Sequence, residues 1–490
     1  MTHLVYIILD IFPCEPSSTR VKKSGDRYLV IKRTCKRVNG RNVPVELGTI
    51  GEIIDGKYVE LRSKPRKKRN SVDIKDYGEV AFFNKAAGDL FSELAAVFDI
   101  KTAKQLFVIA LLRVSDPDIK NRDLKFAYET SFASEIFPGV PLSENTVSKL
   151  LLETGMAYRY IQKFMENRVE KFTGSTLVID GTLKNNNSTE NTFSEFSRKG
   201  NVKGSKDLNL IYAYDVETQE PVAVKPYPGN MLDLTAVDDF VTGYGIKSGI
   251  LVMDKGFYCK SVTDRMKQIE GLTYIIPLKQ SSKLIAENGM LDSIVSPLSG
   301  YKDSVVFFKK KKISENCFLY AFRDPKTAAE QEMGYLLQTT KKGTFTEEKM
   351  LEKQKEFGTI VFESKSDISP LDVYEAYAKR WEIEIMFSMY KGIIDLDTVN
   401  VHSDYSLYTT ELINYLSIII ALRAKKILKT TLLSKKSKSS AAKMISDVYS
   451  YKQVMRYLAK YKMVKVGDSD KWVPCQTVKY ISELVAVLGI

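Results

Sequence analysis

Two short apolar segments, each followed by an aspartate, constrain the fold of this chain more than any other feature. Residues 176–179 lead to Asp180, and residues 250–253 lead to Asp254. Such short runs of aliphatic and β-branched residues are typical of buried strands. Carboxylates at strand ends can meet at one edge of a sheet. The alternative is an aspartate that begins a turn, which the sequence Asp180-Gly181 also fits.

The elements predicted around these aspartates follow the order of an α/β domain. Strands come first, and helices then alternate with strands. The predicted strands are 176–179, 208–214, 221–225, 250–253 and 274–278, and the predicted helices are 233–242 and 259–269. This order is that of a ribonuclease-H-like catalytic core with a mixed sheet.

Residues 280–357 interrupt that order. Strands are predicted at 304–308 and 317–322, so the segment is interpreted as a β-rich insertion into the core. A strand at 358–364 and one long helix from 370 to about 394 would complete the core.

The chain has 490 residues, so more than one domain is expected. Ahead of the core, residues 28–37 and 43–50 flank Asn39-Gly40, which predicts a β-hairpin. The predicted organisation is a β-rich N-terminal region at 1–75, a helical, candidate DNA-binding region at 76–170, the first part of the core at 171–279, the insertion at 280–357, the second part of the core at 358–425, and a basic C-terminal helical region at 426–490.

Within the helical region, Ser143 is predicted to cap a short helix that runs to Glu153. The outward residues of this helix would suit a recognition helix in a helix-turn-helix, although helix pairs of this kind are also common in ordinary bundles. These residues are Asn145, Thr146, Ser148 and Lys149.

The net charge of +13 indicates a polyanionic partner, which is either nucleic acid or an anionic membrane surface, although a basic soluble protein without such a partner is the alternative. The longest apolar run, residues 412–422, is too short to span a bilayer and is interrupted by Asn414 and Ser417, so it is interpreted as a buried helix. Nucleic acid is therefore the expected partner. Five dispersed cysteines and two histidines argue against a zinc site and a disulfide framework, and they indicate a reducing cytosol.

One stripe of the predicted long helix carries four polar residues of different chemistry. Tyr377, Arg380, Glu384 and Lys391 fall within a sector of roughly 60° on a continuous helix. A solvated face stabilised by the Arg380–Glu384 pair is the structural alternative to a functional site.

The spacing Tyr377-x2-Arg380-x3-Glu384-x6-Lys391 resembles the Y-R-E-K signature of a large group of bacterial insertion-sequence transposases of the DDE type. Three further segments resemble motifs of the same group in the same order, and the resemblance covers about residues 176–425. They are Val178-Ile179-Asp180-Gly181-Thr182 for the first aspartate, Tyr227-Pro-Gly229-Asn230-x2-Asp233 for the segment between the aspartates, and Asp254-Lys-Gly256-Phe257 for the second aspartate.

The resemblance implies a cut-and-paste DNA transposase with Asp180, Asp254 and Glu384 as catalytic residues and metal ligands. Asp180 would bridge two Mg²⁺ ions, for which Mn²⁺ can substitute, while Asp254 and Glu384 would each hold one. Such a pair of ions stabilises the attacking and leaving oxygens of phosphodiester transfer.

The same resemblance implies DNA contacts by the other three residues of the signature. Arg380 and Lys391 would grip phosphates of the transposon end, and Tyr377 would contact the terminal nucleotide. The partners would be double-stranded transposon ends and target DNA, bound by a homodimer in the bacterial cytoplasm.

The chain departs from the group in one respect. Some members hold a flipped base with a tryptophan in the insertion, whereas this chain has only Trp381 and Trp472, and Trp381 is interpreted as packing. The aromatic residues available for that role are Tyr301, Phe307, Phe308, Phe318 and Tyr320. A catalytically inactive DNA-binding protein and a ribonuclease-H-fold nuclease are the alternative functions.

Overall fold

The computed structural model describes residues 19–38, 40–60, 72–186, 188–197, 206–231, 233–392, 398–433, 443–467 and 470–490. The chain forms two compact units. The first takes in Met1–Asp73 and Lys465–Trp472, and the second takes in Ile74–Val464 and Val473–Ile490.

The first unit contains a four-stranded antiparallel sheet in the order β1-β2-β3-β4. Its strands are β1 Thr19–Ser24, β2 Arg27–Val38, β3 Arg41–Ile54 and β4 Lys57–Glu60. The predicted hairpin is confirmed, because β2 pairs with β3 from Tyr28 opposite Ile53 to Val38 opposite Arg41. Gly40 in the connection has a φ of 78°, which suits glycine. Asn39 lies outside the described residues.

The second unit begins with a short strand and a group of helices. They are β5 Val72–Asp76, α1 Gly78–Ala87, α2 Leu90–Ala95, α3 Ile100–Ser115, α4 Leu124–Thr130, α5 Ala133–Ile136, α6 Glu144–Met156 and α7 Tyr158–Lys171. Helix α3 is strongly apolar and begins where the Asp99 side chain accepts hydrogen bonds from the Lys101 and Thr102 amides.

Ser143 stands at the predicted start of α6, but its hydroxyl contacts that of Thr146 at 2.7 Å and caps no amide. The helix is three residues longer than predicted and ends at Met156. Asn145, Ser148 and Lys149 are exposed, as predicted for the outward face.

A mixed sheet of ten strands forms the centre of the second unit. Its strands are β6 Thr176–Asn185, β7 Glu195–Phe196, β8 Lys206–Asp215, β9 Glu220–Pro228, β10 Gly249–Met253, β11 Leu272–Pro277, β12 Ser296–Pro297, β13 Phe307–Ser314, β14 Cys317–Arg323 and β15 Thr359–Ser364. The order is β12-β13-β14-β15-β11-β10-β6-β8-β7, and β9 also pairs with β8. Strands β6, β10 and β11 are parallel to one another, whereas β8 is antiparallel to both β6 and β9. This arrangement is consistent with a ribonuclease-H-like fold.

The remaining helices lie after or between these strands. They are α8 Asp233–Gly243, α9 Lys260–Gln268, α10 Lys283–Glu287, α11 Pro325–Lys342, α12 Glu347–Gln354, α13 Pro370–Ala378, α14 Trp381–Gly392, α15 Asp404–Thr430, α16 Ile445–Val448, α17 Tyr451–Leu458 and α18 Lys479–Leu488. Two short strands, β16 Lys462–Val466 and β17 Val473–Pro474, separate α17 from α18, so the predicted helical C-terminal region also contains strands.

The apolar run at 412–422 is the buried middle of α15, as predicted. This helix packs against α1, α3, α6 and β9. Gly155 of α6 permits the closest approach, because a Cβ there would lie 1.8 Å from the Tyr405 carbonyl oxygen. Among the residues that the structure describes, no helix is long and apolar enough to cross a membrane.

Three local predictions are wrong. Strand β6 does not end at Asp180 but continues to Asn185, so Asp180-Gly181 is not a turn. The segment 280–357 is not mainly β, since α10, α11 and α12 lie in it, and its strands β13 and β14 join the central sheet through β15. The single long helix from 370 is two helices, α13 and α14, which are separated at Lys379 and Arg380.

Candidate active site

Asp180 and Asp254 lie side by side on neighbouring parallel strands. Ile179 of β6 pairs with Met253 of β10, so the two aspartates follow at the same level of the sheet. The Gly181 amide donates to Asp180 Oδ1 at 2.8 Å, which fixes the carboxylate. The structure therefore brings together the two aspartates that the sequence placed at strand ends, although only Asp254 follows the last residue of its strand.

Glu384 approaches these aspartates from the first turn of α14. The Arg380 guanidinium connects Glu384 to Asp180, since its NH1 lies 3.3 Å from Glu384 Oε1 and 3.7 Å from Asp180 Oδ2. The side chains of Asp180 and Arg380 are 18% and 16% exposed, whereas that of Glu384 is 39% exposed. The three carboxylates thus come from three separate elements and share one half-buried edge.

The break between α13 and α14 does not separate the first three signature residues. Arg380 donates its amide to Tyr377 O at 3.0 Å in a tight turn, so the continuous helix is not formed, but Tyr377, Arg380 and Glu384 still share one face. Tyr377 remains at the site, where its ring packs edge-on against Phe362 at 4.6 Å and lies 5.5 Å from the Arg380 guanidinium carbon.

Lys391 is held away from the carboxylates. Its Nζ donates to Leu183 O at 2.6 Å. Leu183 is three residues beyond Asp180, which is about 10 Å along a strand. Lys391 therefore joins the end of α14 to β6.

The surroundings of Asp180 raise the pKa of its carboxyl group. Burial, together with the negative charges of Asp254 and Glu384, raises the pKa of Asp180 to about 6, although the Gly181 amide and Arg380 act in the opposite direction. Burial also raises the pKa of Tyr377. A cation among these carboxylates would relieve their mutual repulsion.

The donor set fits Mg²⁺ or Mn²⁺, because both ions prefer carboxylate oxygens. Among the described residues, no three Asp, Glu, His or Cys side chains are grouped closely enough to hold an ion as they stand. The Arg380 guanidinium bridges Asp180 and Glu384. Metal binding therefore requires its side chain to move and the carboxylates to draw together.

The aromatic residues differ in their access to solvent. Phe318 is 5% exposed and Tyr320 is fully buried, so these two cannot stack on a base without rearrangement. Tyr301, Phe307 and Phe308 are partly exposed.

The interpretation of Trp381 as packing is wrong. Its side chain is 63% exposed beside Arg380, whose guanidinium carbon lies 5.9 Å from the indole. Trp381 lies opposite the buried residues Ile383, Met386 and Tyr390 of α14, so the geometry of that helix directs its ring to solvent. An exposed indole next to the carboxylates offers a flat surface on which a nucleobase can stack.

Residues 171–407 match the family model described as a transposase DDE domain. No curated protein matches the sequence. The chain is also similar to a cryo-EM structure of the piggyBac transposase synaptic complex with hairpin DNA, with 11% identity over 84% of this chain and 82% of that chain and a TM-score of 0.36. The family match over residues 171–407, which contain all three carboxylates, supports a DNA transposase of the DDE type.

Proposed function

We propose that this protein is a bacterial insertion-sequence transposase of the Y-R-E-K group, which cleaves transposon ends and joins their 3′ ends to target DNA. The proposal is supported by the positions of Asp180 and Asp254 on adjacent parallel strands and by the Arg380 link between Asp180 and Glu384, inside the segment that matches the transposase family. An acidic site of this kind beside the Arg380 guanidinium and the exposed ring of Trp381 suits phosphodiester chemistry on DNA.

In this proposal the three carboxylates are the metal ligands, with Asp180 nearest the centre. Two Mg²⁺ ions would stabilise the charge that builds on the attacking and leaving oxygens. Asp180 contributes as a carboxylate held by the Gly181 amide, so it can face both neighbours without reorienting. The Glu384 side chain, which is more exposed than that of Asp180, can adjust by rotating.

Arg380 has two roles in this proposal. Without DNA it neutralises Asp180 and Glu384. When DNA is bound, the Arg380 guanidinium would instead contact a phosphate of the cleaved end, because its planar geometry suits bidentate hydrogen bonds to phosphate oxygens. Tyr377 would support that arginine and contact the terminal nucleotide, and Lys391 would contact a phosphate if it gave up or shared its bond to Leu183.

The decisive experiment is cleavage of DNA that carries the terminal inverted repeats flanking the coding sequence. We expect Asp180→Asn, Asp254→Asn and Glu384→Gln each to abolish cleavage in Mg²⁺ while leaving binding of the same DNA intact, because each loses a metal ligand but little of the protein surface. Glu382→Gln is the matched control. Glu382 lies in the same helix but borders a small cavity with Tyr214 and Lys425, so cleavage should persist.

Two outcomes would redirect the proposal. Full cleavage by any of the three carboxylate variants would remove that residue from the catalytic set. Cleavage by the wild-type protein without joining of the 3′ end to a second DNA would favour a nuclease of the same fold. Joined product is therefore measured alongside cleaved product, on a gel that separates the two.

The proposal includes a homodimer in the DNA complex. A transposon has two ends and one core carries one carboxylate site, so coupling the ends calls for two chains, most simply in a two-fold pair. Chains that lack a catalytic carboxylate, mixed with chains defective in end binding, should regain partial cleavage if each site acts on the end bound by the other chain. Light scattering that shows one fully active chain per DNA end would exclude this arrangement.

A further inference from the structure

A fully buried ionic cluster lies next to the proposed site and takes no part in the chemistry described above. Lys184 of β6 and Glu411 of α15 are each 1% exposed, and Tyr390 of α14 is 0% exposed. Lys184 Nζ donates to Glu411 Oε1 at 2.8 Å and to the Tyr390 hydroxyl at 3.2 Å, and that hydroxyl donates to Glu411 Oε2 at 2.9 Å. These three residues are called the buried clamp.

The clamp is extended by neighbouring polar groups. Asn414 Nδ2 donates to Glu411 Oε1 at 3.2 Å, and Arg113 NH1 donates to Asn414 Oδ1 at 2.9 Å. Both oxygens of Glu411 therefore have partners. A satisfied polar network in a low-dielectric interior holds its members in one arrangement.

Stability alone is a weak reason for such a cluster. Taking two charges out of water is costly, and a buried ion pair can often be replaced by apolar residues of similar volume without loss of stability. An ion pair with a bridging hydroxyl restricts the relative orientation of the elements that it joins, because each hydrogen bond is lost when those elements shift. The clamp is thus better suited to fixing geometry than to strengthening the fold.

The elements that the clamp joins are those that carry the carboxylates. Lys184 is four residues after Asp180 on the same face of β6, which is about 13 Å along the strand. Tyr390 is six residues after Glu384 in α14, which is about 9 Å along the helix. Strand and helix are therefore connected at two places, by Arg380 at the site and by the clamp beyond it.

The clamp restrains the position of Glu384 through helix α14. If α14 pivoted about the clamp by roughly 6°, the backbone at Glu384 would move by about 1 Å, given 1.5 Å of rise per residue. A misplacement of about 1 Å in a reacting geometry can lower a rate by roughly 100-fold. The hydrogen bond from Lys391 to Leu183 O lies beside the clamp and also joins α14 to β6.

We propose that Lys184, Tyr390 and Glu411 are positioning residues, which fix the far end of α14 against β6 so that Glu384 can reach Asp180 when a divalent cation binds. This inference rests on the proposed function, since it concerns the same carboxylates. It predicts that loosening the clamp weakens metal binding even in protein that remains fully folded.

The first test is the double variant Lys184→Met/Glu411→Leu, which removes both members of the buried ion pair together, while Arg113, which loses the nearby charge of Glu411, keeps its hydrogen bonds to Asn414 and Asn121. We expect melting close to that of the wild type, but Mn²⁺ binding, measured from the electron paramagnetic resonance signal of free Mn²⁺, roughly 10 to 100 times weaker, as for other residues that orient metal ligands. Cleavage of end DNA at fixed Mn²⁺ should fall, and part of it should return at higher Mn²⁺ concentration.

The second test compares Tyr390→Phe with Tyr415→Phe and needs no change of charge. Both tyrosines are fully buried, and each hydroxyl makes two hydrogen bonds. The Tyr415 hydroxyl donates to the Pro221 and Val222 carbonyls of β9, however, and does not touch α14. Similar losses of stability are expected, with weaker Mn²⁺ binding only for Tyr390→Phe. If the double variant does not fold, this pair decides alone.

The positioning role of the clamp and the transposase function can be contradicted separately. Wild-type protein that cleaves end DNA and binds Mn²⁺, with Tyr390→Phe and the double variant binding it equally well, would overturn the positioning role and leave the transposase proposal intact. Wild-type protein that neither binds Mn²⁺ nor cleaves end DNA would overturn both. Equal weakening of Mn²⁺ binding by Tyr415→Phe would mean that general loosening, and not the clamp, is responsible.

Discussion

The Asp180 carboxylate is expected to destabilise the metal-free fold at neutral pH. Its pKa is about 6 in the folded protein, because it is buried and faces Asp254 and Glu384, whereas an ordinary aspartate has a pKa of 3.8. At about 1.4 kcal/mol for each pKa unit, this difference corresponds to about 3 kcal/mol lost from the free energy of unfolding. Asp180→Asn removes the charge and keeps an oxygen that can accept the Gly181 amide, so most of that loss should be recovered.

The pH dependence has a definite sign. Below pH 3.8 the carboxyl is protonated in both states and contributes nothing. Between pH 3.8 and about 6 the unfolded chain loses its proton while the folded chain retains it, so stability falls as pH rises. Above about pH 6 both states are ionised and the penalty is complete. The advantage of Asp180→Asn should therefore be absent at pH 3.5 and greatest from about pH 7 upward.

The assay is thermal and denaturant unfolding in EDTA across this pH range. Asp89→Asn is a control of opposite sign, because hydrogen bonds and charges of Lys171 and Arg423 outweigh burial and lower the pKa of Asp89 to about 2. That variant should be less stable than the wild type at pH 7. Adding Mn²⁺ should stabilise the wild type but not Asp180→Asn. An Asp180→Asn variant no more stable than the wild type at pH 7.5, or equally favoured at pH 3.5, would refute the reasoning.

Three further outcomes can be checked directly. Gly155→Ala should lower the free energy of unfolding by about 3 kcal/mol, because its Cβ would meet the Tyr405 carbonyl. Gly334→Ala in exposed α11 should raise it by about 0.5–1 kcal/mol, because nothing lies near that position. Equal denaturation midpoints for the two variants would contradict the packing of α6 on α15. In footprinting of pre-cleaved ends, Arg380→Ala should lose protection of the terminal phosphates while overall affinity falls less than ten-fold, and Lys391→Ala should in addition weaken Mn²⁺ binding through its bond to β6. Affinity for end DNA should fall steeply with salt through release of counterions, and a flat salt series would exclude phosphate contacts.

The central strands were predictable because their signals are local. Short aliphatic runs bounded by polar residues predicted β8, β10 and β11 close to their observed ends. Strand β6 was predicted too short because its second half is held by long-range pairing. Its register with β8 continues to Asn185 opposite Asp207, and nothing in the Asp180-Gly181 sequence shows that partner. A local turn signal was overridden by a pairing that only the fold reveals.

The break between α13 and α14 was beyond the reach of periodicity. Neither proline nor glycine lies between Leu371 and Lys391, so helix propensity continues through Lys379 and Arg380. Tyr377 next to the turn packs against Phe362 of β15, a tertiary contact that periodicity does not show. The signature spacing predicted a shared face for Tyr377, Arg380 and Glu384, which their contacts retain, whereas the division into two helices was not predicted.

The distance between Asp180 and Glu384 depends on residues that no local pattern singles out. Lysine and glutamate are normally exposed, so Lys184 and Glu411, which are 227 residues apart, would each be assigned to the surface. Their burial follows only once β6 lies against α14 and α15, where the Tyr390 hydroxyl completes the ion pair. The spacing of the motif in the sequence identifies the carboxylates, but tertiary packing determines the distance between them. A chain can therefore retain the whole motif and still have a disrupted site. Substitutions in the buried clamp should accordingly impair the protein without altering a single signature residue.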